Sequence, residues 1–255
     1  MHLLCRDGSP LPQPEAVTFG DAGALALADL YAVPAPPSGT VHVRAMMNTT
    51  IDGAVRGADG SSGPLRNPDD SFVFDVLRAL TDVVLVGAAT VRAEDYGELG
   101  GREDLLSPSR RPGGASRPAL AIWSISGDLP PLSADQPTYL ISPRDSAAAA
   151  GRRAGLPASQ VITADTPAEA LEGLAALGMR AVQAEGGPTV LGRLAAEGLL
   201  DELCFSTTHR TVGGDSSRAI HADAHDQRWA LSSLLLGEHA TITRYRRVDD
   251  DHRTV

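Results

Sequence analysis

The chain has 255 residues, 42% hydrophobic and 21% charged, the composition of a globular protein long enough to bury a core without disulfides or metals. All 22 basic residues are arginines, which excludes Schiff-base, P-loop and general-base lysine chemistry, and a net charge of -10 argues against a nucleic-acid partner. No apolar run reaches the roughly 18 residues of a membrane span, and residues 1–10 lack an apolar signal core, so a cytoplasmic protein with no membrane partner is expected.

In chain order, residues 9–15 (SPLPQPE) and 34–39 are proline-rich punctuation, and residues 21–31 between them form a short helix with Leu25, Leu27 and Leu30 apolar. Residues 1–39 read as an N-terminal arm packed on one domain, residues 40–255. Residues 41–49 are a strand. Asn67-Pro68-Asp69-Asp70 starts a helix: Asn caps, Pro occupies the first turn, and acids suit the positive dipole end. Val73, Val76, Leu77 and Leu80 follow at helical spacing. Residues 82–86 (DVVLV) are a short apolar strand of the kind buried on both faces, ended by Gly87, and residues 88–94 open another helix. Residues 100–118 are a polar loop, long enough to suggest a surface excursion or disorder. Residues 119–123 and 138–141 are strands, Thr166 to Glu169 is a capping box, and Gly178 sits at a helix C-cap. Residues 180–185 form a strand, Gly186 to Thr189 open a helix that Gly198 closes, and residues 201–208 and 240–248 are the closing strands. This alternation predicts the α/β class with a largely parallel sheet.

Four stretches could carry chemistry. In AVQAEGGPTVLGR (181–193) a strand ends in Glu185, Gly186 and Gly187 follow, and a helix begins. The backbone can approach a ligand there, and the helix N-terminus suits a phosphate or pyrophosphate. The bland alternative is a glycine turn with a solvated glutamate. VLVGAATVRAED (84–95) repeats the design with Thr90 near the first turn, as helix cap or cofactor contact, and two such ends in one sheet fit an extended dinucleotide without the ordinary G-x-G-x-x-G fingerprint. In NTTIDG (48–53), Asp52 is a turn former or a catalytic acid. His221 and His225 stand at i, i+4 spacing in HADAH, with no companion to complete a metal site, and no metal is expected. Cys5 and Cys204 lack metal spacing and read as free thiols.

NTTIDG, DVVLVGAATVRAED, AEGGPTVLG and LLDELCFSTTHRTVGG, in that order, resemble the reductase domain of bacterial riboflavin biosynthesis, the C-terminal domain of the bifunctional pyrimidine deaminase/reductase. The likeness runs over residues 40–247, and with no H-x-E or P-C-x-x-C signature the chain is similar to a stand-alone reductase. The resemblance implies a three-layer dihydrofolate-reductase-like α/β fold, a mixed, mostly parallel sheet flanked by helices, and a homodimer. It also implies NADPH as cofactor and hydride transfer to a ribosylaminopyrimidine, a small heterocyclic substrate.

Carried over residue by residue, the resemblance puts the cofactor pyrophosphate at Gly186, Gly187, Pro188 and Thr189, with Val190 and Leu191 next. Thr90, Glu94 and Asn48 join the cofactor side, Asn48 lining the nicotinamide pocket. Ser62 and Arg78 hold the substrate's polar tail, and Glu185 accepts its ring N–H groups. Asp52 shapes the turn beside the nicotinamide and helps a proton reach the substrate. Preference for NADPH over NADH would rest on Arg144, after a strand at Ser142, with Ser124 as a second contact for the 2′-phosphate. Two features depart from the family pattern. Met46 stands where the family has a lysine, and the A-D-D-P-x-L-T-x-R stretch has become Ala93-Glu94-Asp95-Tyr96-Gly97-Glu98-Leu99. A dihydrofolate- or pteridine-type reductase and a non-catalytic NADPH-binding protein are the alternatives.

Overall fold

The computed structural model describes residues 1–248 apart from positions 95, 97, 98 and 100. Its strands, in chain order, are β1 (His2–Arg6), β2 (Ser9–Ala16), β3 (His42–Thr50), β4 (Val83–Gly87), β5 (Ala119–Trp123), β6 (Thr138–Ser142), β7 (Val161–Thr163), β8 (Ala181–Ala184), β9 (Glu202–Thr208), β10 (Trp229–Leu236) and β11 (Ala240–Arg247). Its helices are α1 (Asp21–Leu30), α2 (Pro68–Ala79), α3 (Ala88–Ala93), α4 (Ala147–Ala154), α5 (Pro167–Ala176) and α6 (Pro188–Ala196). All the strands join one sheet in the order β2-β1-β10-β11-β9-β3-β8-β4-β5-β6-β7. The run from β9 to β7 is parallel, and the pairs from β9 outward to β2 are antiparallel. This is the expected α/β class with a mixed, mostly parallel sheet flanked by helices.

Burial explains the division. Every residue of β4 and β5 is buried, because helices cover both faces of the parallel part. On one face Val83, Leu85, Val182 and Ala184 pack with Leu171 and Leu174 of α5 and Leu191 and Leu194 of α6. On the other, Met46, Cys204, Leu235 and Ile242 pack with Leu27 of α1 and Val73, Val76 and Leu77 of α2, while Val84, Val86 and Ile122 meet Val91 of α3. Truncating one such leucine to alanine costs about 2–5 kcal/mol. The helix starts follow their sequences: Asn67 accepts a hydrogen bond from the Asp70 N–H at 2.9 Å, and Thr166 from the Glu169 N–H at 3.2 Å.

Several segments differ from the sequence expectation. Residues 9–15 are not punctuation but part of β2, the outermost strand. Pro10, Pro12 and Pro14 each lack a backbone donor, which an outermost strand with an irregular register tolerates. Sequence reasoning missed β10, whose Ser232 and Ser233 break the apolar run at a register shift, the three-residue β7, and the alanine-rich α4. The polar loop after α3 is pinned rather than loose. Leu105 is fully buried, and Arg111 donates to the carbonyls of Ala79 at 2.7 Å and Ala115 at 2.6 Å; Gly100 lies outside the described residues. Residues 221–225 form no helix, so His221 and His225 gain nothing from their spacing, and no cluster of three metal-ligating side chains occurs among the described residues. Both cysteines are free and buried. No described helix is long and apolar enough to cross a membrane.

Residues 1–39 supply the β1–β2 hairpin, which extends the sheet beside β10, and α1 on one face. The end of α1 is held by two buried arginines. Arg44 donates to the Tyr31 carbonyl at 2.6 Å and to Glu202 at 2.8 Å; Arg244 donates to the Leu30 carbonyl at 2.6 Å and to the other Glu202 oxygen. The guanidiniums outweigh the effect of burial and hold the Glu202 carboxyl far below the usual carboxylate range.

Candidate active site

The carboxyl ends of β3, β4 and β8 open into one cavity of about 470 Å³, where ligands collect in open α/β sheets. α2 forms one wall, α3 and the start of α6 another, and the loop between β3 and α2 covers it. Of the expected residues, Asn48, Ser62, Arg78, Thr90, Glu94, Glu185, Gly187 and Pro188 all line it.

One end is built from backbone. The Gly87 N–H donates to the Gly186 carbonyl at 2.8 Å, joining the ends of β4 and β8, and the Gly186–Gly187 peptide is cis. Gly186 has φ of +100°, where a side chain is strained. A Cβ on Gly187 would stand 2.7 Å from the Thr90 hydroxyl, so a side chain there would fill the cradle between α3 and α6. A glycine cradle at the start of a helix fits a dinucleotide's diphosphate. Val190 and Leu191 follow on the first turns of α6. Their N–H groups are spent on the Gly187 carbonyl, and both side chains are buried in the core, while Thr189 at the first turn is exposed.

The other end is ionic. Arg78 forms a two-point pair with Glu185, Nε to Oε1 at 2.8 Å and Nη2 to Oε2 at 2.7 Å. The same carboxylate accepts from Gln183 Nε2 at 2.9 Å and the Tyr96 hydroxyl at 3.1 Å. The guanidinium lies over Phe74, 4.3 Å from its centroid, and 5.6 Å from that of Tyr96. Side-chain exposure is 13% for Arg78 and 2% for Glu185, so the pair is largely dry. Burial would lower the Arg78 pKa, but the Glu185 carboxylate more than offsets it and the guanidinium stays charged. Burial keeps Tyr96 neutral, its pKa well above the ordinary value. Glu185 is thus occupied by protein donors, and its first effect is to orient Arg78.

Asp70 stands between the two ends and is 8% exposed. Its Oδ2 accepts from Asn48 Nδ2 at 3.2 Å, while Oδ1 has no hydrogen-bond partner. Burial raises its pKa to about 6. Asn48 is fixed by donating to the Leu65 carbonyl at 2.9 Å and accepting from the Thr208 hydroxyl at 2.8 Å. Glu94 accepts from the Ser62 N–H at 2.8 Å, so it clasps the covering loop to α3 rather than pointing freely at a cofactor.

Besides Gly186, Thr189, Val190 and Leu191 of the glycine turn and α6, three expected residues lie outside the cavity lining. Asp52 is exposed, accepting from the Thr50 hydroxyl and from the N–H groups of Val212 at 3.1 Å and Gly213 at 2.7 Å. These bonds hold its carboxyl below the usual range, Thr50 first among them, so it ties two loops together and is no poised acid. Ser124 accepts from the Gly127 N–H at 3.0 Å at the end of β5, and the exposed Arg144 donates to Asp165 at 3.3 Å beyond β6. Met46, at the family's lysine position, is buried in the α1–α2 cluster and shows the cavity an apolar edge. In the other departing stretch, Asp95, Gly97 and Glu98 lie outside the described residues. Sequence reasoning missed Asp70, Phe74, Tyr96 and Gln183 as site residues. For Asp70 the available signal was an acid on a first helical turn, which a dipole contact explains equally well.

The family model for the RibD C-terminal domain matches residues 41–242. A pyrimidine reductase-like protein from Corynebacterium diphtheriae superposes with a TM-score of 0.71 at 24% identity, over 88% of this chain and 99% of that one. RibD from Acinetobacter baumannii gives 0.65 at 19% identity over 83% of this chain, which spans 59% of that protein. The diaminohydroxyphosphoribosylaminopyrimidine deaminase/5-amino-6-(5-phosphoribosylamino)uracil reductase of Thermotoga maritima gives 0.62 at 18% identity, over 82% of this chain and 57% of that one. At these identities the likeness establishes the fold. No curated protein matches the chain.

Proposed function

Because the chain belongs to the RibD C-terminal domain family, we propose that it is an NADPH-dependent reductase of a ribosylaminopyrimidine, of the 5-amino-6-(5-phosphoribosylamino)uracil type, in riboflavin biosynthesis. The observation that carries this reading is the single cavity with an uncharged glycine cradle at one end and the Arg78–Glu185 pair at the other. That division suits an extended dinucleotide beside a small polar heterocycle. We further place the protein in the cytoplasm as a homodimer.

Bound NADPH supplies the hydride. The chain supplies position. Gly186, Gly187 and the start of α6 receive the diphosphate, with Pro188 and Thr189 shaping the turn and Thr90 closing its other side. Arg78, held flat between Phe74 and Tyr96 and fixed by Glu185, offers donors in one orientation to the substrate's oxygens. Ser62 adds a hydroxyl from the covering loop. The charge on Arg78 survives because Glu185 is beside it, so its guanidinium remains a charged donor, paired with Glu185, as substrate displaces water.

Met46 favours one second reading, an NADPH-binding protein without turnover, since an apolar side chain replaces the family's lysine. NADPH oxidation measured with the ribosylaminopyrimidine phosphate and with dihydrofolate separates the readings. The expected result is oxidation with the pyrimidine and formation of the ribitylamino product. Cofactor binding with no turnover of either compound would refute the reductase reading, and turnover of dihydrofolate alone would move the substrate to a pteridine.

A further inference from the structure

Five carboxylates are buried among the described residues: Asp69, Asp70, Asp82, Glu185 and Glu202. Four have an evident occupation. Asp69 accepts the His239 N–H at 2.7 Å, and Asp82 accepts those of Gly113, Arg180 and Ala181 at 2.8–2.9 Å. Glu185 is paired with Arg78, and Glu202 with Arg44 and Arg244. Asp70 alone of the five receives neither a guanidinium nor a backbone N–H, and of the three buried aspartates it alone lines the cavity, beside the less buried Asp75. A buried carboxylate with one neutral hydrogen-bond partner is costly to keep ionised, although its place on the first turn of α2 offsets part of that cost.

We propose that Asp70 is the proton donor of the cavity: its carboxylic acid protonates the substrate nitrogen next to the carbon that is being reduced. The inference rests on the reductase reading above. The substrate reacts as its open-chain imine, formed when the C1′–O ring bond breaks, the nitrogen gives up its proton and the ring oxygen takes one as a hydroxyl. In the step, the C=N electron pair then moves onto nitrogen and the Asp70 O–H bond breaks as the N–H bond forms. The carbon receives hydride from a dihydronicotinamide, which is oxidised to nicotinamide, and the Asp70 carboxylate then regains a proton from solvent in the cavity. The surroundings suit an acid that must be neutral before the step and charged after it. Asn48 Nδ2 is a fixed donor to the carboxylate formed. The Ser206 hydroxyl on β9 is itself without a hydrogen-bond partner and lies near enough to favour the charged form. The charges acting on Asp70 are Arg66 of the covering loop, which favours ionisation, and Asp75 further along α2, which opposes it; β3 and β9 contribute the neutral Asn48 and Ser206. Burial dominates, and the acid titrates at about 6. An acid that titrates near the working pH is suited to general-acid work.

The test uses wild type, Asp70→Asn and Ser206→Ala. Carboxyl carbon NMR of the ligand-free protein follows the titration directly, and single-turnover reduction follows the chemistry. Wild type should show one carboxyl titrating at about 6 that is absent in Asp70→Asn, and its rate should fall tenfold per pH unit above that midpoint. Asp70→Asn should be slower by about 10²- to 10⁴-fold with no such slope. Ser206→Ala, which keeps the acid and removes a group favouring its ionised form, should move both midpoints upward together. An Asp70→Asn rate within threefold of wild type, or a wild-type rate with no midpoint near that of the carboxyl, overturns the proposal while leaving the reductase reading intact. A Ser206→Ala protein in which the NMR midpoint moves and the kinetic one does not also overturns it. Absence of any reduction by wild type sinks the reductase reading and the proposal with it.

Discussion

Replacing Arg78 by Met keeps the stem that packs on Phe74 but removes the charge opposite Glu185. The Glu185 carboxylate would then sit at 2% side-chain exposure with only the Gln183 amide and the Tyr96 hydroxyl as donors. Breaking a buried pair by deleting one member costs about 3–5 kcal/mol, most of it from the charge left behind. Arg78 keeps 13% exposure toward the cavity, so the lower part of that range, about 3–4 kcal/mol, is expected. Glu185→Gln keeps two of the acceptor's contacts and removes a charge-assisted bond, at about 1.5–3 kcal/mol. The double variant leaves neither charge stranded. It should therefore be more stable than the sum of the single losses predicts, with a coupling of about 1–3 kcal/mol. Urea unfolding at one pH, with m-values compared across the four proteins, measures this. A coupling below about 0.5 kcal/mol would refute the argument that the pair is dry and mutually required. Kinetics on the same preparations add a second reading. If Glu185 acts through Arg78, the two single variants lose similar catalytic efficiency, and the double variant loses little more than either.

The Asp70 carboxyl gives a stability prediction of opposite sign. Its pKa rises from 3.8 to about 6 on folding, so the stabilisation is complete below 3.8 and is lost as pH rises through about 6. At about 1.4 kcal/mol per pH unit between those values, Asp70→Asn should be more stable than wild type by up to about 3 kcal/mol at pH 8, with the gain vanishing near pH 3. Melting temperatures across that range check it, and a variant less stable at pH 8 contradicts the burial argument. Gly187→Val should fold and lose NADPH affinity at least tenfold, since its Cβ alone would stand 2.7 Å from Thr90 Oγ1; calorimetric titration that finds an unchanged dissociation constant removes the diphosphate from this turn. For the 2′-phosphate, wild type should prefer NADPH to NADH and Arg144→Ala should narrow the preference; a preference that survives intact in the variant places the phosphate contact elsewhere than on this Asp165-paired arginine.

What could be read from the sequence was whatever depends on neighbours along the chain. Asn67-Pro68 marks the start of α2 because cap and first turn are local, and DVVLV marks β4 because burial on both faces leaves no polar position. The glycine turn was legible for the same reason. The Arg78–Glu185 pair was not, since 107 residues separate its members and only the placing of α2 beside β8 brings them together. Glu185 accordingly looked like a group free for the substrate. Asp70 looked like an acid at a helix start, and only its burial and its unpartnered oxygen set it apart. Tyr96 fell in a stretch where the family pattern fails, so no motif pointed to it, although its hydroxyl reaches Glu185. The proline-rich β2 was hidden because its strand character comes from being at the sheet edge, a property of the assembled sheet and not of the seven residues.

The two arginines that hold the end of α1 make inheritance and mechanics diverge. The family match begins at residue 41, yet Arg44 and Arg244, inside or just past the matched span, find two of their acceptors in the carbonyls of Leu30 and Tyr31. A fragment trimmed to residues 41–242 would leave Arg44 with an empty socket in the middle of a sheet. It would lose Arg244 and Arg246 outright, and Glu202 would keep one arginine partner, Arg44, instead of three. It would also remove β1 and cut β11 after Ile242, so β10 would lose its partner on one flank and most of it on the other, leaving rows of open backbone groups of the sort that recruit other chains. The family-matched portion of this protein is therefore expected to self-associate when expressed alone, more than the chain that carries the forty residues ahead of the match.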